Sequence, residues 1–318
     1  MYRRSFLGLL VAFLFAVSPS CAGSSGSGSP PLAVPSATVG PSASPAAFPV
    51  TVTDFQGRSV SVPAKPARIV SIGPSNTEFL FALGAGDRVV GVDDFSDEPA
   101  AAKAKEKVGG VKVNLEKVAS LKPDLVVTVK FSDGTIEKLQ TLAPTVLVVD
   151  PQSTADVGKT AILLGRAVGA DGERLAADIE ARLAAVRTKT AGATKPRVFH
   201  EVDASDPAKP FTVGPGSFID DLITIAGGAN AAAKAGSAYP QLSLEEIVRT
   251  DPEIIVLGDA DYGVTVEQVA ARPGWSAISA VKTRRIFPVA SSLVSRPGPR
   301  IADAAEAYAK ILHPELYR

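Results

Sequence analysis

Two glutamates stand in nearly the same surroundings in this chain: Glu116 in Leu115-Glu116-Lys117-Val118 and Glu245 in Leu244-Glu245-Glu246-Ile247. Each opens a stretch that runs to a proline (Pro123 or Pro252), then an acid (Asp124 or Glu253), then an apolar run. A carboxylate in the first turn of a helix is favoured by the helix dipole, worth a few tenths to about 1 kcal/mol. In the second copy Ser243 and Glu246 already form a capping box. Glu245 is therefore freer to face outward and accept a cation from elsewhere.

Other chemistry is thinly provided. The chain has 2 histidines, on distant segments, which argues against a carrier of free zinc or manganese, since such a site needs several His and carboxylate ligands. His200 follows a strand-like run and could offer its imidazole to a metal; His313, in His-Pro-Glu, reads as surface. Cys21 is the only cysteine, so no disulfide can form within the chain. There is no Gly-x-Ser-x-Gly elbow. Gly84-Ala85-Gly86 followed by Gly91 fails as a dinucleotide loop because it ends a helix instead of joining a strand to one. No enzyme activity is expected, and no intrinsic cofactor or metal.

The 318 residues are 46% hydrophobic, enough for one large or two medium domains with cores. Thirty-three basic residues balance 33 acidic ones, so no broad field calls for nucleic acid as a partner. Arg3 and Arg4 precede an apolar run from Phe6 to Val17 that suits a signal peptide, 1–21, and is too short for a permanent membrane span. Residues 22–48, rich in Ser, Gly, Pro and Ala, read as a disordered tether.

The positioning elements follow from Pro49 onward. Val50–Thr53 and Ser59–Val62 flank a hairpin turn at Gln56-Gly57. Arg68–Ile72, Val89–Val92, Leu125–Val129 and Val146–Val149 read as strands that alternate with helices at 77–83, 115–121 and 136–142. This is an α/β lobe with a mainly parallel sheet, 49–153. A connecting helical segment, 154–192, carries an apolar stripe at Leu175, Ile179, Leu183 and Val186. The same grammar then restarts at Arg197–Val202, giving a second lobe, 193–318, with Trp275 packed inside it. Two lobes imply a cleft between them, lined by strand-end loops.

The candidate ligand-binding residues are Ser75, Asn76, Phe95, Lys130 and Phe131 in the first lobe, and His200, Ser217, Phe218 and Arg296 in the second. Phe211 and Tyr239 could add aromatic wall. Lys130 and Arg296 could meet ligand carboxylates or phosphate; each could equally be a solvated loop charge.

Several ordered motifs carry a resemblance. They are Ile69-Val70-Ser71-Ile72-Gly73-Pro74-Ser75-Asn76-Thr77-Glu78, Gly84-Ala85-Gly86-Asp87-Arg88-Val89-Val90-Gly91-Val92, Leu121-Lys122-Pro123-Asp124-Leu125-Val126, Ala226-Gly227-Gly228-Ala229-Asn230 and Arg296-Pro297-Gly298-Pro299-Arg300. Over about residues 50–315 the chain resembles the helical-backbone class of substrate-binding proteins, which serve ABC importers for cobalamin, ferric siderophores and haem. The resemblance implies two lobes joined by one long rigid helix, limited closure, and a monomer that passes its ligand to a permease dimer. It implies that Glu116 and Glu245 dock into arginine pockets on the two permease subunits. Gly214-Pro215-Gly216-Ser217-Phe218 and the Arg296–Arg300 corner look most like the cobalamin-type members, so a corrinoid is the expected transported ligand and an iron chelate, siderophore or haem, the alternative. A receptor or sensor of the same fold without transport is a third reading. Cys21, followed by Ala-Gly-Ser-Ser-Gly, resembles the lipidated cysteine of a bacterial lipoprotein, with Ser18 where that pattern has a Leu-like residue. This implies an extracytoplasmic protein anchored to the membrane; an ordinary cleaved signal with an incidental cysteine is the alternative. Arg3-Arg4-Ser5-Phe6-Leu7 resembles a twin-arginine export signal.

Overall fold

The computed structural model describes residues 47–318; the expected signal peptide, Cys21 and nearly all of the tether lie outside the described residues. At the start, β1 (Val50–Thr53) pairs antiparallel with β2 (Ser59–Val62). The connecting turn needs Gly57, at φ 75°, a left-handed conformation that costs glycine little.

Five strands form the first large sheet: β3 (Ile69–Ile72), β4 (Val89–Val92), β5 (Glu106–Lys107), β6 (Leu125–Thr128) and β7 (Val146–Val148). Their order is β5-β4-β3-β6-β7, all parallel. Every residue of β3 and β6 is buried, as expected of a parallel sheet covered on both faces, whose strands read as continuous apolar runs. The second sheet contains β8 (Arg197–Asp203), β9 (Phe211–Thr212), β10 (Ala229–Asn230), β11 (Ile254–Leu257) and β12 (Ile286–Pro288). Its order is β10-β8-β11-β12, parallel, with β9 antiparallel on β8. The central pairs match: Ile69 lies opposite Leu125 in the first, Val198 opposite Ile254 in the second.

The segment expected as one connecting helix, 154–192, is two helices, Thr154–Val168 and Gly172–Thr190. Gly169 ends the first in a left-handed conformation, and Asp171 caps the second through the backbone N–H of Arg174. The chain turns back tightly because two glycines meet: a Cβ on Gly165 would stand 2.5 Å from Gly172. The 19-residue second helix buries Ile179, Leu183 and Val186, the stripe expected from spacing. With the C-terminal helix Ile301–Leu312, these helices share one apolar core that includes Ile69 and Leu125 of the first sheet and Val198 and Ile254 of the second.

Trp275 packs inside the second lobe, 1% exposed, edge-on to Phe199 at 6.1 Å between ring centroids. His313, expected at the surface, is buried: its Nε2 lies 3.2 Å from the Gly227 carbonyl. Only a residue without a side chain fits beside it, since a Cβ on Gly227 would come within 2.9 Å of that nitrogen.

Candidate functional site

The strand-end loops of the two sheets meet, with Arg296, eight residues past β12, reaching the turn that follows β4. That turn is built around Asp93, which is 2% exposed. Its Oδ2 accepts from the backbone N–H of Gly73 (2.7 Å) and from Ser96 Oγ (2.7 Å), and its Oδ1 accepts from the Phe95 N–H (2.9 Å). Ser96 Oγ also lies 2.8 Å from Thr77 Oγ1, which donates to Ser71 Oγ at 2.9 Å. Lys107 Nζ donates to the carbonyls of Asp93 and Ser96. Gly73 is required where β3 ends: at φ 112° it has left the L-residue region, and a Cβ would sit 2.6 Å from Val129 Cγ1. The turn leaves the Phe95 ring 53% exposed.

Of the first-lobe residues, Phe95 and Lys130 are exposed, Ser75 and Phe131 half-buried. Asn76 is buried and serves the scaffold, its Nδ2 donating to the carbonyls of Ile72 (3.2 Å) and Val149 (3.1 Å). It does not face a ligand in this conformation.

Three second-lobe expectations, His200, Ser217 and Phe218, need correction because the residues are buried, and a fourth residue, Arg296, is already bonded within the protein. His200 is 0% exposed; its Nδ1 lies 2.6 Å from the phenol oxygen Oη of Tyr308, and burial pulls its pKa down to about 3. The ring belongs to the core because even positions of β8 face the C-terminal helix. Ser217 caps the Phe218–Ile225 helix, accepting from the Asp220 N–H while its Oγ donates to the Gly214 carbonyl. Phe218, 5% exposed, packs in the shared core as the first residue of that amphipathic helix. Arg296 is engaged by the protein itself: Nη1 donates to Asp97 Oδ1 (2.6 Å) and Glu78 Oε1 (3.2 Å), and Nη2 to the Phe95 carbonyl (3.1 Å).

Two acids stand at strand ends of the second sheet: Glu201, which the sequence places beside His200 in a strand-end loop, and Asp259, which sequence reasoning missed. Glu201, 0% exposed, holds Arg272 through two bonds of 2.5 and 2.8 Å. Asp259, 3% exposed just past β11, has no partner among the described residues for either carboxylate oxygen. Burial first, then the Glu201 charge, pushes its pKa up to about 6. Asp150, past β7, is also raised by burial, opposed by Lys130. The signal available was position alone: each acid falls within two residues of a strand's C-terminal end. Tyr262, 81% exposed, joins Phe95, Phe211 and Tyr239 as an exposed aromatic of the strand-end loops.

Glu116 and Glu245 are both exposed and make no hydrogen bond or ion pair among the described residues. Asn114 caps the first helix and Ser243, with Glu246, the second, so neither glutamate is used by its own helix terminus. A cavity of about 480 Å3 between the hairpin and the Thr154–Val168 helix is lined by Thr51, Phe55, Lys159, Ile162 and Arg166, none of them a strand-end residue of the two large sheets. No group of three or more His, Cys, Asp or Glu among the described residues could hold a metal ion. No helix among them is long and apolar enough to cross a membrane.

The periplasmic binding protein family model matches residues 69–293. An ABC transporter substrate-binding lipoprotein of Bacillus subtilis is 37% identical over 281 residues, covering 85% of this chain and 88% of the relative. A cobalamin-binding protein of Halobacterium salinarum is 31% identical over 282 residues, covering 84% of this chain and 74% of the relative. Among solved structures, a periplasmic haem-binding protein of Roseiflexus superposes with a TM-score of 0.71 at 27% identity, over 78% of this chain and 98% of that one.

Proposed function

Since the chain belongs to the periplasmic binding protein family, we propose that it is the solute-binding component of an ABC importer that carries a corrinoid. On this reading it works outside the cytoplasm, tethered to the membrane through Cys21, holds its ligand between the two lobes, and docks on a permease dimer through Glu116 and Glu245. Its relatives' names support the transport role and leave the ligand divided among cobalamin, haem and iron.

The observation that carries the corrinoid is the charge state of the strand ends. The two guanidinium groups there are consumed internally, Arg272 by Glu201 and Arg296 by Glu78 and Asp97. Haem brings two propionates, and anionic ligands are recognised through free, bidentate arginines. What the strand-end region leaves open is aromatic surface on Phe95, Phe211, Tyr239 and Tyr262, with carboxylates that accept hydrogen bonds and a single lysine, Lys130, in place of a bidentate arginine. A corrin ring edged with neutral carboxamide donors suits those walls.

Calorimetric titration of the purified protein with cyanocobalamin and, separately, haemin tests the ligand. Micromolar or tighter binding of cyanocobalamin with weak haemin binding is expected. Tight haemin binding alone would remove the corrinoid reading and leave the family. A Glu116→Arg, Glu245→Arg double variant should bind the ligand as the wild type does and fail to support uptake in reconstituted vesicles.

A further inference from the structure

We propose that Arg296 is a positioning residue of the ligand cleft: from the second half of the chain it holds the turn that carries Phe95, with the pair between buried Glu78 and Arg300 as its anchor. Glu78, on the Pro74–Ala82 helix, is 4% exposed. Arg300 Nε donates to its Oε2 and Arg300 Nη2 to its Oε1, both at 2.8 Å, and Arg300 Nη2 also reaches the Ser292 carbonyl at 2.9 Å. This fork-to-fork pair sets the height of the Arg296–Arg300 corner over the first lobe.

Arg296 shares Oε1 of the same carboxylate, which fixes the plane of its guanidinium. A planar group held at one edge presents its remaining N–H groups in one place. That place holds the Phe95 carbonyl and the Asp97 carboxylate. The turn is therefore gripped twice. Asp93 holds it from within the first lobe, through the Phe95 N–H; Arg296 holds it from some 200 residues away in sequence. Between the two grips the Phe95 ring stands over Gly110, where a Cβ would come within 3.3 Å of the ring. An aromatic wall that must meet a flat ligand at van der Waals distance loses contact when its backbone drifts, and misplacement of about 1 Å costs a large factor in binding or rate.

The competing role for Arg296 is direct contact with the ligand, and Asp97 separates the two. Asp97 is half-exposed at 45% of its side chain, so Asp97→Asn is tolerated by the fold; Arg296→Gln leaves Glu78 its two Arg300 bonds. Hydrogen exchange is measured on the ligand-free protein, then calorimetry with cyanocobalamin. In Arg296→Gln the amides of Phe95 and Ser96 should exchange roughly tenfold faster, and in Asp97→Asn faster by a smaller factor, with those of β3 unchanged in both. Affinity for cyanocobalamin should fall about tenfold in Arg296→Gln and by less in Asp97→Asn, which keeps the Nη2 bond to the Phe95 carbonyl; the double variant should lose no more than Arg296→Gln, which already removes both bonds. Arg296→Lys, which keeps the charge and loses the fork, should lie between.

Unchanged exchange in either single variant overturns the proposal. So does tighter or unaltered binding in Asp97→Asn alongside weakened binding in Arg296→Gln, which would give the guanidinium to the ligand. The affinity measurements rest on the corrinoid reading. If cyanocobalamin fails to bind the wild type, that reading falls and the exchange rates alone decide the role of Arg296.

Discussion

The first lobe's sheet begins just after Arg68, at Ile69, and the second's at Arg197, and the two ends are joined in the same way. Arg68 donates from Nε and Nη2 to the Leu121 carbonyl; Arg197 Nε donates to those of Thr250 and Asp251. Each guanidinium thus closes the C-terminal end of the echoed helix, where carbonyls lack partners. Asp124 accepts from the N–H groups of Ala67 and Arg68, and Glu253 from that of Arg197. The residue before each proline takes a left-handed conformation, Lys122 at φ 47° and Asp251 at φ 42°. Repetition in the sequence is repetition of a frame of helix, turn and strand.

Inside that frame the lobes diverge. Register places Ser71 where the second lobe has His200, and Ile72 where it has Glu201. The first position is a small hydroxyl in a chain of hydroxyls, the second a buried imidazole against Tyr308. An apolar residue in one lobe answers a buried ion pair in the other. The frame constrains backbone hydrogen bonds, which any side chain leaves intact, while the cleft-end positions are free to differ; the result is a cleft with unlike walls.

The largest effect should come from breaking the charged position. Glu201→Gln should lower stability by about 3 to 5 kcal/mol in chemical denaturation, because it leaves Arg272 buried without its counter-charge. Glu201→Ile with Arg272→Met, which copies the first lobe's apolar choice, should recover most of that loss. A loss as large in the double variant would mean that the pair is needed for packing as well as neutrality.

A smaller effect tests His200. Its ring is neutral in the folded protein down to about pH 3, whereas an unfolded histidine takes a proton near pH 6.5. Stability should therefore fall as pH drops from about 6.5 toward 3, by up to about 1.4 kcal/mol per unit. Asp259 acts oppositely. With its folded pKa raised to about 6, it favours the folded state as pH falls through the window from about 6 to 4 and partly masks the histidine. Asp259→Asn should stabilise the protein at pH 7 by on the order of 1 to 2 kcal/mol and steepen the acid-side loss, and His200→Ser should flatten it. Thermal unfolding followed from pH 7 to 4 reads both slopes.

The smallest difference lies in the frame itself. Lys122→Gly should stabilise by about 0.5 to 1 kcal/mol, since glycine accepts the left-handed conformation without strain. At the matching position the sign should reverse: Asp251 accepts from the Ser279 N–H and Oγ, both at 2.8 Å, and Asp251→Gly should cost about 1 kcal/mol. Equal effects at both positions would mean that the Ser279 bonds contribute nothing.

By itself the sequence determined the alternation of strands and helices and the echoed helix starts at Asn114 and Ser243, with Glu116 and Glu245 left outward. These follow from local rules: caps, prolines, glycines and apolar runs act within a few residues of themselves. The expected connector became two helices because Gly165 and Gly172 allow a close approach that neither shows alone. Asn76, His200, Ser217 and Phe218 read as cleft residues from their places near strand ends, yet all are buried. For His200 a continuously buried strand carries no alternation to say which face the side chain takes, while Asn76, Ser217 and Phe218 sit in the first turns or cap of helices that turn inward. Arg296 reads as a free cation until Glu78, Asp97 and Phe95 are brought to it. Only the tertiary structure decided which charges are spent inside the protein and which remain for a ligand, because the partners of a buried charge are chosen across the fold, where removing it from water demands them.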